Sequence, residues 1–472
     1  MKKILFILLV IMPTAVRADD ARDLLDYLDR QWSKFEDVAM DLWDYAELGY
    51  LETKSSGRLQ KLLSKEGFEV QSGVAGIPTA FIASYGKGEP VIAILAEFDA
   101  LPGISQSRAS TREILAHKNA GHACGHHLFG GGSTAAAVAV RHWMEKNGVR
   151  GTIRLYGTPA EEGGSGKVYL VRAGLFDDVD TVLHWHPADR NAANPESNLA
   201  NKSARFKFTG VSAHAAAAPD RGRSALDGVE ALNYMTNLLR EHVPQESRIH
   251  YIVSRGGEAP NVVPDYAEAY YYVRHPNAAT LQTIWDRVMD IARGAALGTG
   301  TEVEVEVMHG NHSLLPNRQL AEVMHRNLTR VGGVHYNEEE IRYAEEISRS
   351  FDAPGYVGME KEIMPIEMRQ GMGSTDVGDV SWVVPTVGLR TATWVPGTAA
   401  HSWQAIAAGG TSIGLKGMMV AAKTMALTAR DLMRKPALIE AARAEFEERR
   451  GGNFQYKPLL GDRDPPLDYR VK

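Results

Sequence analysis

Five short stretches of the chain carry residue types able to hold a divalent cation or to move a proton. Glu97-Phe98-Asp99 closes an apolar run; Gly121 to His127 reads GHACGHH; Thr158 to Gly163 reads TPAEEG; Leu183 to Pro187 reads LHWHP; and Gly397 to Gln404 reads GTAAHSWQ. Each stretch alone has a bland explanation. A single Cys-x-His is commonly packing beside a surface histidine, and a Glu-Glu pair is commonly a solvated face. Together they supply thiolate, imidazole and carboxylate, a donor set that suits zinc, and added oxygen ligands admit manganese or cobalt. A thiol nucleophile, Cys124 with His126 as its base, fits less well, because side chains only two residues apart do not face each other as nucleophile and base.

The pattern between these stretches predicts where they lie. Asp20 to Leu48 and Ser55 to Leu63 have helical periodicity, Val91 to Ala96 is an apolar run of strand length, and Leu128 to Met144 is a helix rich in small residues. Ile153 to Tyr156 and Thr181 to Trp185 are further strands, with a helical stretch over Val168 to Ala173 between them. Alternating strand and helix predicts an α/β fold, a mixed but largely parallel sheet covered by helices on both faces. In such sheets ligands bind at the carboxyl ends of the strands, where most of the five stretches fall. From Ser203 the order becomes βαββαβ: Arg205 to Thr209, helix Leu226 to Leu239, Ile249 to Val253, Ala267 to Val273, helix Leu281 to Ala296, and Thr301 to Met308. That order is ferredoxin-like, an α+β unit inserted at 202–311. The catalytic unit is then 19–201 with 312–450, ending in a long helix over Ser412 to Met433, and 451–472 is a polar tail with little to order it.

A chain of 472 residues exceeds what one core usually organises, and 44% apolar with 23% charged residues is ordinary globular composition. A net charge of −6 without a dominant basic run argues against nucleic acid as a partner. Cys124 is the single cysteine, so an intramolecular disulfide is excluded. Lys2 and Lys3, the apolar run Ile4 to Met12 and the small-residue end at Ala18 predict an export signal over 1–18, cleaved after Ala18. The run is too short to span a bilayer, so the expectation is a periplasmic or secreted protein with no membrane association after cleavage.

Taken in order, AEFDALPG at Ala96 to Gly103, GHACGHH, PAEE, WHP, VSAHAAAAP at Val211 to Pro219, APNVVP at Ala259 to Pro264 and AAHSWQ resemble the M20 family of aminoacylase and carboxypeptidase metallopeptidases, in its amidohydrolase branch. The resemblance runs from about Asp20 to Met433. It implies two divalent metal ions, with Cys124 as the bridging ligand and His126, Glu162, His186 and His401 as the others. His186 is preferred to His184 because it directly precedes Pro187. The resemblance further implies that Glu161 is the general base, that Asp99 orients the site, and that the inserted unit is a dimerisation lid. Across a homodimer, His214 of one chain would donate to the oxyanion formed in the other, while Asn261 and Arg274 bind a substrate carboxylate. Many relatives carry His-x-Asp where this chain has Glu97-Phe98-Asp99, which leaves Glu97 without an inherited role, and His127 stands where relatives often carry Asn or Asp.

Two functions compete. One is a metal-dependent amidohydrolase cleaving the amide of an N-acyl or aroyl amino acid, or of a small peptide. The other is a solute-binding protein of the same fold without turnover. An unligated Glu161 beside Glu162 favours the enzyme, since a binder has no use for a base.

Overall fold

The computed structural model describes residues 20–471; the expected export signal lies outside them. A six-stranded sheet forms the larger unit, in the order Glu69–Ser72, Phe81–Lys87, Gly151–Gly157, Val91–Ala96, Thr181–Ala188, Thr386–Ala392. The last four strands of that order are parallel and the first two antiparallel. All six residues of Val91–Ala96 are buried, as a strand covered on both faces requires. Side-chain alternation shows both covers on one strand. Trp185 donates its indole N–H to Phe129 O (3.2 Å) on the helix His126–Asn147, while His184 faces the side that carries Lys167 on the helix Gly166–Arg172. Small residues let the first of these helices approach closely: a Cβ on Gly132 would stand 2.9 Å from the Trp185 ring. The long helix Ser412–Arg434 packs beside it.

The inserted unit is a four-stranded antiparallel sheet in the order Arg248–Arg255, Tyr266–His275, Ala200–Thr209, Glu302–Asn311, covered by the helices Ala225–Leu239 and Ala278–Thr299. It has its own core, in which Phe206, Phe208, Tyr271 and Trp285 are buried. Ser224 and Asn277 cap the two helices, accepting from the backbone N–H of Asp227 and Thr280.

Two expectations need correction. The helical stretch Asp20 to Leu48 is two helices, Asp20–Arg30 and Trp32–Tyr45, and it stops early because Ala46 turns left-handed (φ 43°) and caps onto Leu42 O. The tail from 451 is packed against the body rather than loose. Its apolar and aromatic members find partners: Leu460 is buried, Phe454 packs on Trp382 (4.6 Å between ring centroids), and Tyr469 meets Tyr50 edge-on. Among the described residues no single helix is long and apolar enough to cross a membrane.

Candidate metal centre

The donors predicted from four separate motifs converge at the carboxyl edge of the parallel strands. Gly125, left-handed at φ 76° and seated against Pro187, turns the GHACGHH segment into the helix His126–Asn147 and so presents Cys124 and His126 together. Cys124, His126 and His186 bring one donor atom each within 4.8 Å of one another, and Cys124, Glu162 and His401 do the same. Cys124 belongs to both groups, the arrangement of a ligand shared between two ions. The His401 N–H donates to Ala123 O (2.9 Å), which ties the distant AAHSWQ stretch to the cysteine turn.

The ring orientations suit metal binding. His126 Nδ1–H donates to Asp99 Oδ1 (3.0 Å) and His186 Nδ1–H to Pro187 O (2.8 Å), so each turns Nε2 toward the cluster. His126 Nε2 and Glu162 Oε1 are buried without a hydrogen-bond partner. Yet they lie 3.1 Å from Glu97 Oε2 and 3.2 Å from His401 Nε2. Atoms this close and misaligned for hydrogen bonding point at a common centre; ligands about 2.0 to 2.3 Å from a tetrahedral ion stand roughly 3.4 Å apart. The Cys124 thiol and the Glu162 carboxylate close beside it push the His401 pKa up to about 10, so without an ion this donor set draws a proton. The residues present fit a pair of divalent cations.

The two neighbouring acids part company at a turn. Glu161–Gly164 is a short turn entered through left-handed Ala160 (φ 57°), and Glu162 leaves helical geometry (ψ 69°). Glu162 therefore joins Cys124 and His401, while Glu161 faces Glu97 and His126. Burial first, and then the charges of Glu97 and Glu162, raise the Glu161 pKa well above the ordinary carboxylate range. Asp99 serves both sides, holding His126 through Oδ1 and accepting the Glu162 N–H on Oδ2 (2.9 Å).

Glu97 is better placed than its motif suggested. Its Oε2 faces His126, and its Oε1 pairs with the fully buried Lys167 at 2.7 Å, which in turn pairs with Asp376 at 2.7 Å. Burial alone would deprotonate Lys167, but Asp376 and Glu97 reverse this and keep the ammonium charged. Breaking a buried pair of this kind costs about 3–5 kcal/mol, because it strands the opposite charge. Lys167 and Asp376 were missed in the sequence; the only local signal was a lysine in the otherwise apolar GKVYLV. His127 is neutral, its pKa lowered to about 3 by burial, and it packs with Nε2–H donated to Gly409 O. His184 lines the adjoining cavity but joins neither donor group containing Cys124.

That cavity, of about 230 Å³, runs from the metal-ligand cluster past Asn194, Ser374 and Arg390. Arg274 reaches its rim, with Nη1 3.4 Å from Ser374 Oγ, and its Nε is buried without a partner. Asn261 does not reach the cavity of its own chain. Arg274 lies eight residues along the strand from Tyr266, a rise of roughly 27 Å, and Asn261 sits beyond the Tyr266 end. There Asn261 O accepts the Ala215 N–H, and Val262 bridges to His214. His214 is exposed, and its Nδ1 accepts the N–H of Ala216 and Ala217, which leaves Nε2 as the donor in the neutral ring.

A largely parallel sheet that gathers thiolate, imidazole and carboxylate donors around a cavity defines a metallohydrolase. The chain belongs to peptidase family M20/M25/M40, whose model matches residues 93–362. It is 40% identical over 452 residues to one of the chains of p-aminobenzoyl-glutamate hydrolase of Escherichia coli, covering 90% of this chain and 94% of that protein. It is 32% identical over 448 residues to the Xaa-Arg dipeptidase of Mus musculus, covering 92% and 91%. Among solved structures, an aminobenzoyl-glutamate utilization protein from Klebsiella pneumoniae superposes with a TM-score of 0.62 at 19% identity, over 86% of this chain and 98% of that one. A dinuclear metal binding peptidase of the M20 family from Bacillus subtilis superposes with a TM-score of 0.59 at 18% identity, over 86% and 99%. The protein is thus an amide hydrolase of a metallopeptidase family.

Proposed function

We propose that the protein hydrolyses the amide bond of an N-acyl or aroyl amino acid, or of a small peptide, whose leaving amino acid carries a free carboxylate. The observation that carries this reading is the divergence of Glu161 from Glu162, which leaves a half-buried acid beside the metal ligands, grouped with Glu97 and His126 and outside both groups built on Cys124. Two divalent ions held by Cys124, His126, Glu162, His186 and His401 would supply an acidified water and polarise the scissile carbonyl. The donor set favours zinc and is compatible with manganese or cobalt. Glu161 takes the proton from that water and returns it to the leaving nitrogen. Asp99 keeps the His126 ring and the Glu162 backbone in place while this happens. A binder without turnover is disfavoured, because it has no need for an acid held in this position.

Arg274 would bind the substrate carboxylate. It stands at the cavity rim with Nε unpartnered and Nη1 on Ser374, and its planar fork matches a carboxylate. The relatives named for aminobenzoyl-glutamate and Xaa-Arg substrates have such a group on the leaving residue. Replacing the free carboxylate of an N-acyl amino acid by a carboxamide is expected to lower kcat/KM by about 10- to 100-fold, the worth of a charge-assisted bidentate pair. Equal rates on acid and amide, in a panel that includes p-aminobenzoyl-glutamate and dipeptides, would overturn the assignment.

His214 and Asn261 lie on the far tip of the lid, so within this reading they serve the cavity of a second protomer, where His214 Nε2–H donates to the oxyanion. Two Escherichia coli relatives are named as different chains of one p-aminobenzoyl-glutamate hydrolase, which makes a related chain the rival to a second copy of this one. In a homodimer, a mixed pair of Glu161→Ala and His214→Ala chains has one doubly damaged site and one intact site. Random exchange makes half the dimers mixed, so combining the two inactive proteins is expected to restore roughly a quarter of wild-type activity. Confirmed exchange of protomers without recovery would exclude the trans role.

A further inference from the structure

The segment from 454 to 471 connects two places that the reaction uses. At one end it grips the chain returning from the lid: Lys457 O accepts from His312 Nε2–H (2.9 Å), Arg463 Nη1 donates to Met308 O (3.1 Å), and Gly310 is pressed so close that a Cβ there would stand 2.8 Å from the Leu459 backbone. At the other end it reaches the turn that bears both acids. Tyr469 Oη–H and Arg470 Nη2–H both donate to the carbonyl oxygen of Glu162, at 3.0 and 2.7 Å.

This turn has reason to be held from outside. Ala160 and Ser165 have left-handed φ (57° and 56°), which an L-residue adopts at a cost in energy, and Gly163 between them is also at positive φ (89°). The peptide before Glu162 is pinned by its N–H on Asp99 Oδ2, and the peptide after it by the two donors on its C=O. With both flanking planes anchored, φ and ψ of Glu162 are fixed, and so is the direction in which its Cα–Cβ bond leaves the backbone. Tyr50, in edge contact with Tyr469, donates to Gly164 O (2.6 Å) and completes the clamp.

We propose that Tyr469 and Arg470 are positioning residues of the reaction, holding the 160–165 turn in the one conformation that sends Glu162 to Cys124 and His401 and leaves Glu161 free of them. The proposal rests on the roles given above to the two acids. Neither residue touches the cavity; both act through the Glu162 peptide.

The test uses the full chain loaded with zinc and carrying Tyr469→Phe together with Arg470→Ala. Amide hydrogen exchange at 160–166 is expected to quicken by about 10-fold or more while the strand Val91–Ala96 stays protected. Zinc release to a chromogenic chelator should quicken by a similar factor, and kcat should fall by about 10- to 100-fold with KM within about twofold, as for a ligand displaced by a fraction of an ångström. Arg470→Lys, which keeps a donor, should lie between the double variant and wild type. Exchange and zinc release equal to wild type would overturn the proposal, as would loss of protection equally in the turn and in the core strand. If the double variant does not fold, Tyr469→Phe and Arg470→Lys, each a minimal change, are read by the same measurements. Exchange and zinc release do not depend on which acid is the base. A loosened turn in a protein whose Glu161→Gln variant stays active would therefore refute the base and keep the clamp, and an unchanged turn beside an inactive Glu161→Gln variant would refute the clamp alone.

Discussion

Removing the divalent ions is expected to abolish amide hydrolysis, and zinc, manganese or cobalt to restore it. The expectation follows from convergence. Cys124, His126, Glu162, His186 and His401 come from four separate motifs, yet their donor atoms fall into two groups sharing Cys124. His126 Nε2 and Glu162 Oε1 are buried without hydrogen-bond partners, a cost that a protein avoids unless something else satisfies those atoms. Without the ions, the attacking water keeps its ordinary pKa of about 15.7 instead of about 7, so a fall in rate on the order of 10³-fold or more follows. The measurement is the hydrolysis rate of dialysed, chelator-treated protein alongside elemental analysis, before and after each ion is returned. Full activity in demonstrably ion-free protein would dismantle the site as described.

The second large effect separates the neighbouring acids. Glu161→Gln should keep its ion content near wild type and lose about 10² to 10⁴ in turnover, the range for a missing general base. Glu162→Gln should instead lose ions, because it removes an anionic donor from the group shared with Cys124 and His401. Stoichiometry by elemental analysis and kcat, measured on both variants, check the pair together. Ion loss in the Glu161 variant with full occupancy in the Glu162 variant would reverse the assignment. The structure sharpens this test, since Glu161 shares its surroundings with Glu97, whose other oxygen is held by Lys167. A neutral glutamine at 161 should be tolerated there, because it relieves repulsion with the buried Glu97 carboxylate.

Much of the site was legible because its chemistry comes in short local pieces. Cys124 with His126, Glu161 with Glu162, and His186 before Pro187 each lie at the end of a strand or at the start of a helix, and the period of the flanking apolar residues gives those elements away. An open parallel sheet then forces strand ends to one edge, which is why separate motifs could be assigned to a common site before any contact was known. The inserted unit was legible for the same reason: its βαββαβ order needs only periodicity, and its strands and helices appear where the apolar patterns place them, within a few residues.

Other features were decided by packing between residues far apart in the chain, which leaves no periodic trace. Lys167 meets Glu97 and Asp376 only because two helices and a strand end stack there, and nothing in the apolar pattern around Lys167 names its partners. Asn261 and Arg274 are thirteen positions apart in the sequence, yet an extended strand carries them to opposite ends of the inserted unit, a separation set by the rise per residue. The roles of the two acids depend on left-handed Ala160 and Ser165, conformations that these residue types do not advertise. The tail was hardest to read, because its polar composition suggests solvent while its few aromatic and arginine side chains dock across the lid return and onto the Glu162 carbonyl. What the sequence alone determined was the inventory of chemical groups and the elements that carry them. The tertiary structure decided which groups meet, because a hydrogen bond or ion pair between distant segments depends on three-dimensional distance and local burial, and neither is written in any single stretch of chain.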